Sequence, residues 1–341
     1  MVKKSEDKDE AVKQEEVSKA VGIVKEDEEE VVEEIEEIKP IKRNLEERYF
    51  VDFYFLNFRE GPQTNQKLLN ELGRNTQLTI LKHIDEKWAR AQLDSGETGY
   101  VAKKYLTPVT PQWIAERQVS LLPILMYHYV GVIPEDADEM RKNLTTSKAN
   151  LFAHLKYLKK NNIKTLTFRD LKDFKEGERE YNGSGAILTF DDGYKDSYTI
   201  VYSLLKQFGA KGVFFVVTDL IGTEGYMSWE NLSEMSKNGM EIACHSRTHS
   251  DLRGLSGTAL DNEVSLPKEI IEDNIGKEVI TFAYPSGGMN TRVQKAVENA
   301  GYAFARTINP GKYISFKNSF ALPALRIYPE TADKQLKIWF E

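Results

Sequence analysis

Two different patterns of apolar and polar positions divide the chain near residue 121. Beyond that point, short apolar runs alternate with longer amphipathic stretches, which is the pattern of repeated strand–helix units. The predicted strands span residues 124–129, 165–168, 186–190, 213–217, 241–244, 279–283 and 302–306. This repetition predicts an α/β domain built on a parallel sheet or a barrel, with its site at the carboxyl ends of the strands.

Helix-capping residues precede several of the amphipathic stretches. Ser147, Ser228 and Asn290 each stand immediately before such a stretch, and their side chains can accept a hydrogen bond from the first helical turn. The sequence therefore predicts helices over residues 148–161, 229–237 and 291–300.

Residues 48–107 have a different character. Aromatic and β-branched runs at 49–55, 77–81, 88–93 and 99–101 are separated by turn-forming pairs such as Gly61-Pro62. We expect a small all-β barrel here. Residues 108–120 contain Pro108 and Pro111 and are predicted to be a linker that leads to the α/β domain at 121–341.

Residues 1–47 are a low-complexity segment of glutamate, lysine and valine, for which we expect an acidic, disordered tether. Residues 1–48 carry 17 acidic and 10 basic side chains, so the whole formal charge of −7 lies in this part. The remaining chain is electrically balanced. It has no basic stripe of the kind that nucleic-acid-binding proteins carry, so that class is excluded.

Cysteine content and hydropathy set further limits. Cys244 is the single cysteine, which excludes an intramolecular disulfide. No stretch approaches the ~20 apolar residues of a membrane-spanning helix. The first residues lack the apolar region of a signal peptide. If the protein is exported, its leader is absent from this sequence.

Two acidic residues, Asp191 and Asp192, follow the strand predicted at 186–190, and Gly193 comes next. A barrel or an open parallel sheet places its chemistry at this position. An Asx-turn or a helix cap would use the same residue types. The pair alone therefore leaves both interpretations open.

Two histidines, His245 and His249, follow the strand predicted at 241–244. Residues four apart on one helical turn can face the same point, so the pair could offer two imidazoles to one metal ion. Ordinary loop histidines are the alternative. Together with the acidic pair they supply two imidazoles and a carboxylate, which leave open positions for water and substrate.

The motifs Thr189-Phe190-Asp191-Asp192-Gly193 and His245-Ser246-Arg247-Thr248-His249 resemble those of the polysaccharide deacetylase family (carbohydrate esterase family 4, the NodB homology domain). The resemblance covers about residues 121–330. It implies a distorted (β/α) barrel in which Asp191 is the general base. It also implies that Asp192, His245 and His249 bind one divalent metal, usually zinc.

The smaller domain also resembles a known family. Residues 56–62, which read Leu-Asn-Phe-Arg-Glu-Gly-Pro, and residues 98–106, which begin Thr-Gly-Tyr-Val, are similar to the opening and closing motifs of the bacterial SH3-like domain. The resemblance implies that this domain binds cell-wall or matrix glycan.

The general acid departs from the common family pattern. Many members supply a histidine from a late segment, whereas no histidine follows His249 here. His128, within Met126-Tyr127-His128, is the candidate, because this motif resembles the poly-N-acetylglucosamine deacetylase branch. A histidine packed in the core is the alternative. His83 and His154 are predicted to lie on the surface.

The family's R-x-P-Y motif is also altered. It reads Ala283-Tyr284-Pro285-Ser286 here, so the arginine that would hold the base is an alanine. Arg326 is the candidate replacement. Backbone N–H groups of residues 286–288 could stabilise an oxyanion. The candidate substrate-binding residues are Tyr194, Trp229, Tyr284, Ser286 and Arg326, with core packing an equal alternative for the aromatic ones.

These features predict an extracellular or cell-surface metal-dependent enzyme that removes N-acetyl groups from GlcNAc-containing polysaccharide. Poly-N-acetylglucosamine is the favoured polymer, with peptidoglycan or chitin-like chains next. Two alternatives stay open. One is a catalytically inactive cell-wall glycan-binding protein, and the other is a deacetylase of O-acetyl esters.

Overall fold

The computed structural model describes residues 47–51, 55–73, 76–109, 119–181 and 183–340. Nearly all of the predicted acidic tether and most of the predicted linker lie outside the described residues. We call residues 47–109 the β-domain and residues 119–340 the α/β-domain. In the described part of the chain, no helix is both long enough and apolar enough to cross a bilayer.

The described part of the β-domain is a seven-stranded antiparallel sheet with the order β3-β2-β6-β5-β4-β1-β7. Its apolar core includes Val51, Phe58, Leu72 and Val101, because these strands turn alternate side chains inward. The strands are β1 (Arg48–Val51), β2 (Phe55–Arg59), β3 (Leu68–Gly73), β4 (Gln77–His83), β5 (Trp88–Leu93), β6 (Thr98–Ala102) and β7 (Leu106–Pro108).

The α/β-domain is organised around a parallel sheet, with helices between its strands. Its strands are β8 (Val119–Leu121), β9 (Ile124–Tyr127), β10 (Tyr129–Val130), β11 (Thr145–Thr146), β12 (Lys164–Leu166), β13 (Gly185–Phe190), β14 (Val213–Val216), β15 (Glu241–Cys244), β16 (Thr281–Ala283), β17 (Phe304–Arg306), β18 (Tyr313–Ser315) and β19 (Leu325–Arg326). The helices are α1 (Glu139–Leu144), α2 (Lys148–Lys160), α3 (Phe168–Glu176), α4 (Ser203–Phe208), α5 (Trp229–Lys237), α6 (Thr258–Ile275), α7 (Thr291–Asn299) and α8 (Asp333–Phe340).

The main sheet runs β17-β16-β15-β14-β13-β9-β19, and β12 also pairs with β13. Arg306 of β17 makes an isolated parallel bridge with Leu322, which precedes β19 by three residues, so the two ends of the sheet approach each other. The sheet thus curls toward a closed ring. At this junction a single isolated bridge takes the place of a regular strand ladder. The predicted distorted (β/α) barrel, preceded by a small all-β domain, is confirmed.

Alternation along the strands separates two apolar clusters. Ile124 and Met126 of β9 join one cluster with Phe215, whereas Leu125 and Tyr127 join the other. Helical side chains such as those of α2, α5, α6 and α7 pack into the second cluster. Successive residues of a strand point to opposite faces, so β9 contributes to both layers of the core.

The predicted caps form as expected. The side-chain oxygens of Ser147, Ser228 and Asn290 accept backbone N–H groups at the starts of α2, α5 and α7.

The surface prediction for His154 is wrong. This residue is only 1% exposed, and its ring bonds the Tyr127 hydroxyl and the Thr331 carbonyl. A hydrogen-bonded imidazole is satisfied in the core.

A buried polar contact joins the two domains. Arg48 and Asp94 of the β-domain form an ion pair in which both side chains are about 5% exposed or less. The second carboxylate oxygen of Asp94 also accepts the backbone N–H of Lys312 from the α/β-domain, at 2.8 Å. This carboxylate therefore serves the β-domain and its neighbour at once.

We predict that Asp94→Ala lowers the free energy of unfolding by about 3–5 kcal/mol, because it leaves the Arg48 guanidinium buried without its counter-ion. Urea unfolding followed by tryptophan fluorescence measures the change. Asp251→Ala is the matched control, since its pair with Arg253 is solvent-exposed and should contribute little. Equal effects of the two substitutions would contradict the prediction.

Candidate active site

The polar side chains of the predicted site meet at the mouth of the barrel, where the parallel strands end. Asp191 and Asp192 follow β13, His245 follows β15, and His128 follows β9. Together with His249 they line one cavity of about 650 Å³. The fold brings them together because parallel strands present their carboxyl ends on the same side.

Asp192, His245 and His249 form a donor set suited to a metal ion. Asp192 Oδ1 lies 3.4 Å from His245 Nε2 and 3.5 Å from His249 Nε2. One donor atom from each residue lies within 4.8 Å of the others. Tetrahedral zinc, with bonds of about 2.0–2.2 Å, separates its ligand atoms by about 3.4 Å. The two carboxylate–imidazole spacings therefore match those of such an ion.

The surroundings of these side chains fit a cation as well. Asp192 Oδ1 is buried and, among the described residues, has no hydrogen-bond partner. His245 Nδ1 lies 2.8 Å from the Ala283 carbonyl and can donate to it, which leaves Nε2 with a free lone pair directed at Asp192. Burial opposes ionisation of Asp192, yet the surrounding imidazoles of His245, His128 and His249 bring its pKa well below the ordinary value.

The two histidines lie in a loop, so the predicted helical turn is wrong. Ser246 Oγ accepts the His249 N–H at 2.9 Å and closes this loop. Ser246 and His249 adopt left-handed backbone conformations, with φ near 65°. Such conformations are costly for residues other than glycine and cluster at functional sites. The tight loop brings the two ring centroids to 4.8 Å.

A buried glutamate holds this loop, and sequence reasoning missed it. Glu263 of α6 is 6% exposed and accepts the backbone N–H groups of Arg247 and Thr248 as well as the Thr248 hydroxyl. Its position in the interior of an amphipathic helix was the available signal. Glu263 thereby sets the path of the chain between the two imidazoles.

Asp191 is held by an arginine that sequence reasoning did not select. Arg306 Nη2 donates to Asp191 Oδ2 at 2.5 Å, and both residues are at most 2% exposed. The Arg306 guanidinium lies 5.0 Å from the centroid of the Phe215 ring. Asp191 Oδ1 is buried without a hydrogen-bond partner among the described residues. One oxygen is therefore fixed, and the other is available to accept a proton.

The prediction that Arg326 orients Asp191 is wrong, because Arg306 occupies that place. Arg306 ends β17, and its register partner in β16 is Ala283, the position where the family motif has arginine. Register partners on adjacent strands point to the same face of a sheet. A charged residue at the end of the apolar run 302–306 was the signal for Arg306.

His128 lies beside the acidic pair. Its Nε2 is 3.9 Å from Asp191 Oδ2, which is beyond hydrogen-bond distance, and its Nδ1 has no partner among the described residues. The pKa of His128 is lowered, mainly by burial. The carboxylates of Asp191 and Asp192 act to raise it, and the guanidinium groups of Arg326 and Arg306 act to lower it.

The walls of the cavity contain most of the predicted substrate-binding residues. Tyr194, Tyr284, Ser286 and Arg326 all line it. The Tyr194 ring stacks on that of Tyr129, with centroids 3.9 Å apart. Tyr284 is 1% exposed, and its hydroxyl donates to a backbone carbonyl. Tyr284 thus shapes the cavity mainly through its ring.

The structure bears on two further predictions. Trp229 is not among the residues that line the cavity. It begins α5 and packs, half-buried, against the apolar core.

The amides of Gly287 and Gly288 donate to the carbonyls of Tyr284 and Pro285 within their own turn. These two N–H groups are therefore not available to an oxyanion.

Comparison with known families matches both domains. The family profile described as polysaccharide deacetylase matches residues 178–305, which include both motifs of the site. The profile described as bacterial SH3 domain matches residues 55–107, which cover most of the β-domain.

Individual relatives agree with these matches. A Bacillus subtilis protein, YxkH, named as a candidate polysaccharide deacetylase, is 29% identical over 220 residues, covering 64% of this chain and 76% of that protein. The poly-β-1,6-N-acetyl-D-glucosamine N-deacetylase of Staphylococcus aureus is 23% identical over 212 residues, covering 58% of this chain and 73% of its own length.

Among solved structures, the Streptococcus pyogenes deacetylase PplD in complex with acetate superimposes with a TM-score of 0.61 at 26% identity. The match covers 64% of this chain and 98% of PplD. The chain thus carries a polysaccharide deacetylase domain, whose family profile matches residues 178–305, preceded by a bacterial SH3 domain at residues 55–107.

Proposed function

We propose that this chain is a metal-dependent N-deacetylase of GlcNAc-containing polysaccharide, with poly-N-acetylglucosamine the favoured polymer. One juxtaposition carries the proposal. The donor set Asp192, His245 and His249 lies beside Asp191, whose Oδ1 has no hydrogen-bond partner in the described structure. Three protein donors leave coordination positions for water and substrate, and a neighbouring free carboxylate can act as a base.

The chain's own residues divide the proton transfers between them. A divalent cation bound by the three donors, zinc above all, would polarise the acetyl carbonyl and make water more acidic. Asp191 takes the proton of the attacking water at Oδ1, while Arg306 holds Oδ2 in place. His128 faces the same cavity and, as an imidazolium, donates a proton to the departing amine nitrogen and so returns to the neutral imidazole. An amide needs this donor because an amine anion is a poor leaving group.

Two observations support the choice of polymer. The Staphylococcus aureus relative is named for activity on poly-β-1,6-N-acetyl-D-glucosamine, and its match covers 73% of its own length. The cavity mixes aromatic, hydroxyl and cationic groups, including Tyr194, Ser286 and Arg326, as polar sugar rings require.

We further infer that the protein works outside the cell or at its surface, where such polymers accumulate. The SH3 domain would then bind wall or matrix glycan and keep the deacetylase close to its substrate. High local concentration through a second binding module raises the effective affinity without any new contact at the active site.

Acetate release tests the activity. We expect the purified chain to release acetate from poly-β-1,6-N-acetylglucosamine, to lose activity with a chelator and to regain it with zinc. His245→Ala should lower both bound zinc and turnover, whereas His83→Ala, an exposed histidine of the β-domain, should change neither. Zinc binding without acetate release would favour a glycan receptor. Release from O-acetylated substrates alone would favour an esterase.

Asp191→Asn should retain zinc and lose about 10²–10⁴-fold in kcat, because the amide cannot accept the water proton. Acetate release and elemental analysis of the same preparation measure the two quantities. Asp261→Asn, at an exposed carboxylate on α6, is the control. If Asp191→Asn works as fast as the unaltered chain, another group is the base.

His128→Ala should reduce kcat on N-acetyl substrates by about 10²–10⁴-fold with unchanged zinc content. The loss should be much smaller on 4-nitrophenyl acetate, whose leaving group departs without a proton. Parallel assays on the two substrates measure the difference. Loss of zinc would assign His128 to the metal ligands, and equal losses on both substrates would rule out the acid role.

A further inference from the structure

A short segment connects the active site to the SH3 domain. We call residues 307–313 the strap. It begins directly after Arg306, which bonds Asp191, and its second residue, Ile308, lines the cavity. The strap ends at Tyr313, the first residue of β18. Its two ends thus lie at the catalytic carboxylate and at the domain boundary.

One SH3 residue binds the far end of the strap through three hydrogen bonds. The side-chain amide of Gln77 donates to the Tyr313 carbonyl at 2.5 Å and accepts the Tyr313 N–H at 3.1 Å. The Gln77 backbone N–H donates to the Pro310 carbonyl at 3.2 Å. Gln77 is 6% exposed, so water competes little for these bonds. The side chain thus pairs with both backbone groups of Tyr313, as a residue of a neighbouring strand would.

The fit between strap and SH3 domain is tight. A Cβ on Gly311 would lie 2.9 Å from Pro323 Cβ and 3.2 Å from Gln77 Cδ. The neighbouring N–H, that of Lys312, donates to Asp94, which Arg48 holds by its ion pair. The backbone at residues 310–313 therefore has little freedom to shift while the SH3 domain is in place.

The near end of the strap is tied to the other arginine of the site. Thr307 donates through its N–H and its hydroxyl to the Leu322 carbonyl, at 2.9 and 3.1 Å. The Ala324 N–H donates to the Asn309 carbonyl at 2.9 Å. Arg326, which lines the cavity, follows Ala324 by two residues. The backbone next to Arg306 and the backbone next to Arg326 are thus both hydrogen-bonded through the strap.

We propose that the SH3 domain is a positioning element of the deacetylase site, in which Gln77 sets the strap and the strap sets Arg306 against Asp191. This inference rests on the proposed function for its catalytic part. This positioning role differs from that of a freely tethered binding module, which would be joined to the deacetylase domain through the linker alone.

The test is Gln77→Met in the full chain, which keeps side-chain length and removes the amide. On a soluble GlcNAc oligomer that is too short to reach a second site, kcat should fall about tenfold, since misplacement by 1 Å can cost about 10²-fold. KM should change less than about twofold and zinc content should not change. Hydrogen exchange should accelerate at the amides of residues 305–313.

Val101→Ala is the matched control. It removes apolar contacts from the SH3 core without touching the strap. It should lower the thermal midpoint while kcat and strap exchange stay as in the unaltered chain. Gln77→Ala is the second strap variant and should reproduce the effect of Gln77→Met.

Unchanged kcat and unchanged exchange in both Gln77 variants would overturn the proposal, as would equal losses in Val101→Ala. Failure of both Gln77 variants to fold would also overturn it, because Gln77 would then stabilise the whole chain rather than set the strap. An unaltered chain that releases no acetate would refute the proposed function, and strap exchange would still decide whether Gln77 holds the strap.

Discussion

Asp191 and Arg306 form an ion pair at the mouth of the barrel, with both side chains almost fully buried. A carboxylate at this depth is costly unless a partner compensates for its lost hydration. Arg306 supplies that partner to one oxygen and leaves the other without a hydrogen bond among the described residues. The arrangement of the site depends on this asymmetry, because the held oxygen fixes the side chain and the free oxygen can accept a proton.

The carboxylate of Asp192 faces different partners from that of Asp191, because the backbone turns between the two residues. Successive residues of a strand point to opposite faces, so two neighbouring aspartates would ordinarily diverge. Asp192 has a φ of 74°, in the left-handed region, and Gly193 follows with 84°. This turn ends β13 and directs both carboxylates to one cavity, Asp191 toward Arg306 and Asp192 toward the histidines. A local backbone cost thus separates the proposed base from the proposed metal ligand.

The sequence predicted the parts of the structure that depend on local patterns. Alternating apolar runs predicted the barrel strands, and the residues that follow them predicted the meeting of Asp192 with His245 and His249. A spacing of four residues fits both a helical turn and a loop closed by Ser246, so the pattern could not distinguish them. Glu263, Arg306 and Gln77 act through partners far away in the chain, and periodicity carries no information about such contacts.

The position of the arginine links the site to the rest of the chain. In the family pattern the base is held from the position of Ala283 on β16, whereas here Arg306 reaches it from the register-paired position on β17. The backbone carbonyl of Ala283 accepts a hydrogen bond from His245 Nδ1, so β16 orients a proposed metal ligand. β17 continues directly into residues 307–313, which bond Gln77 and Asp94 of the SH3 domain. With the arginine on β17, our proposal makes the orientation of the Asp191 carboxylate depend on contacts outside the barrel.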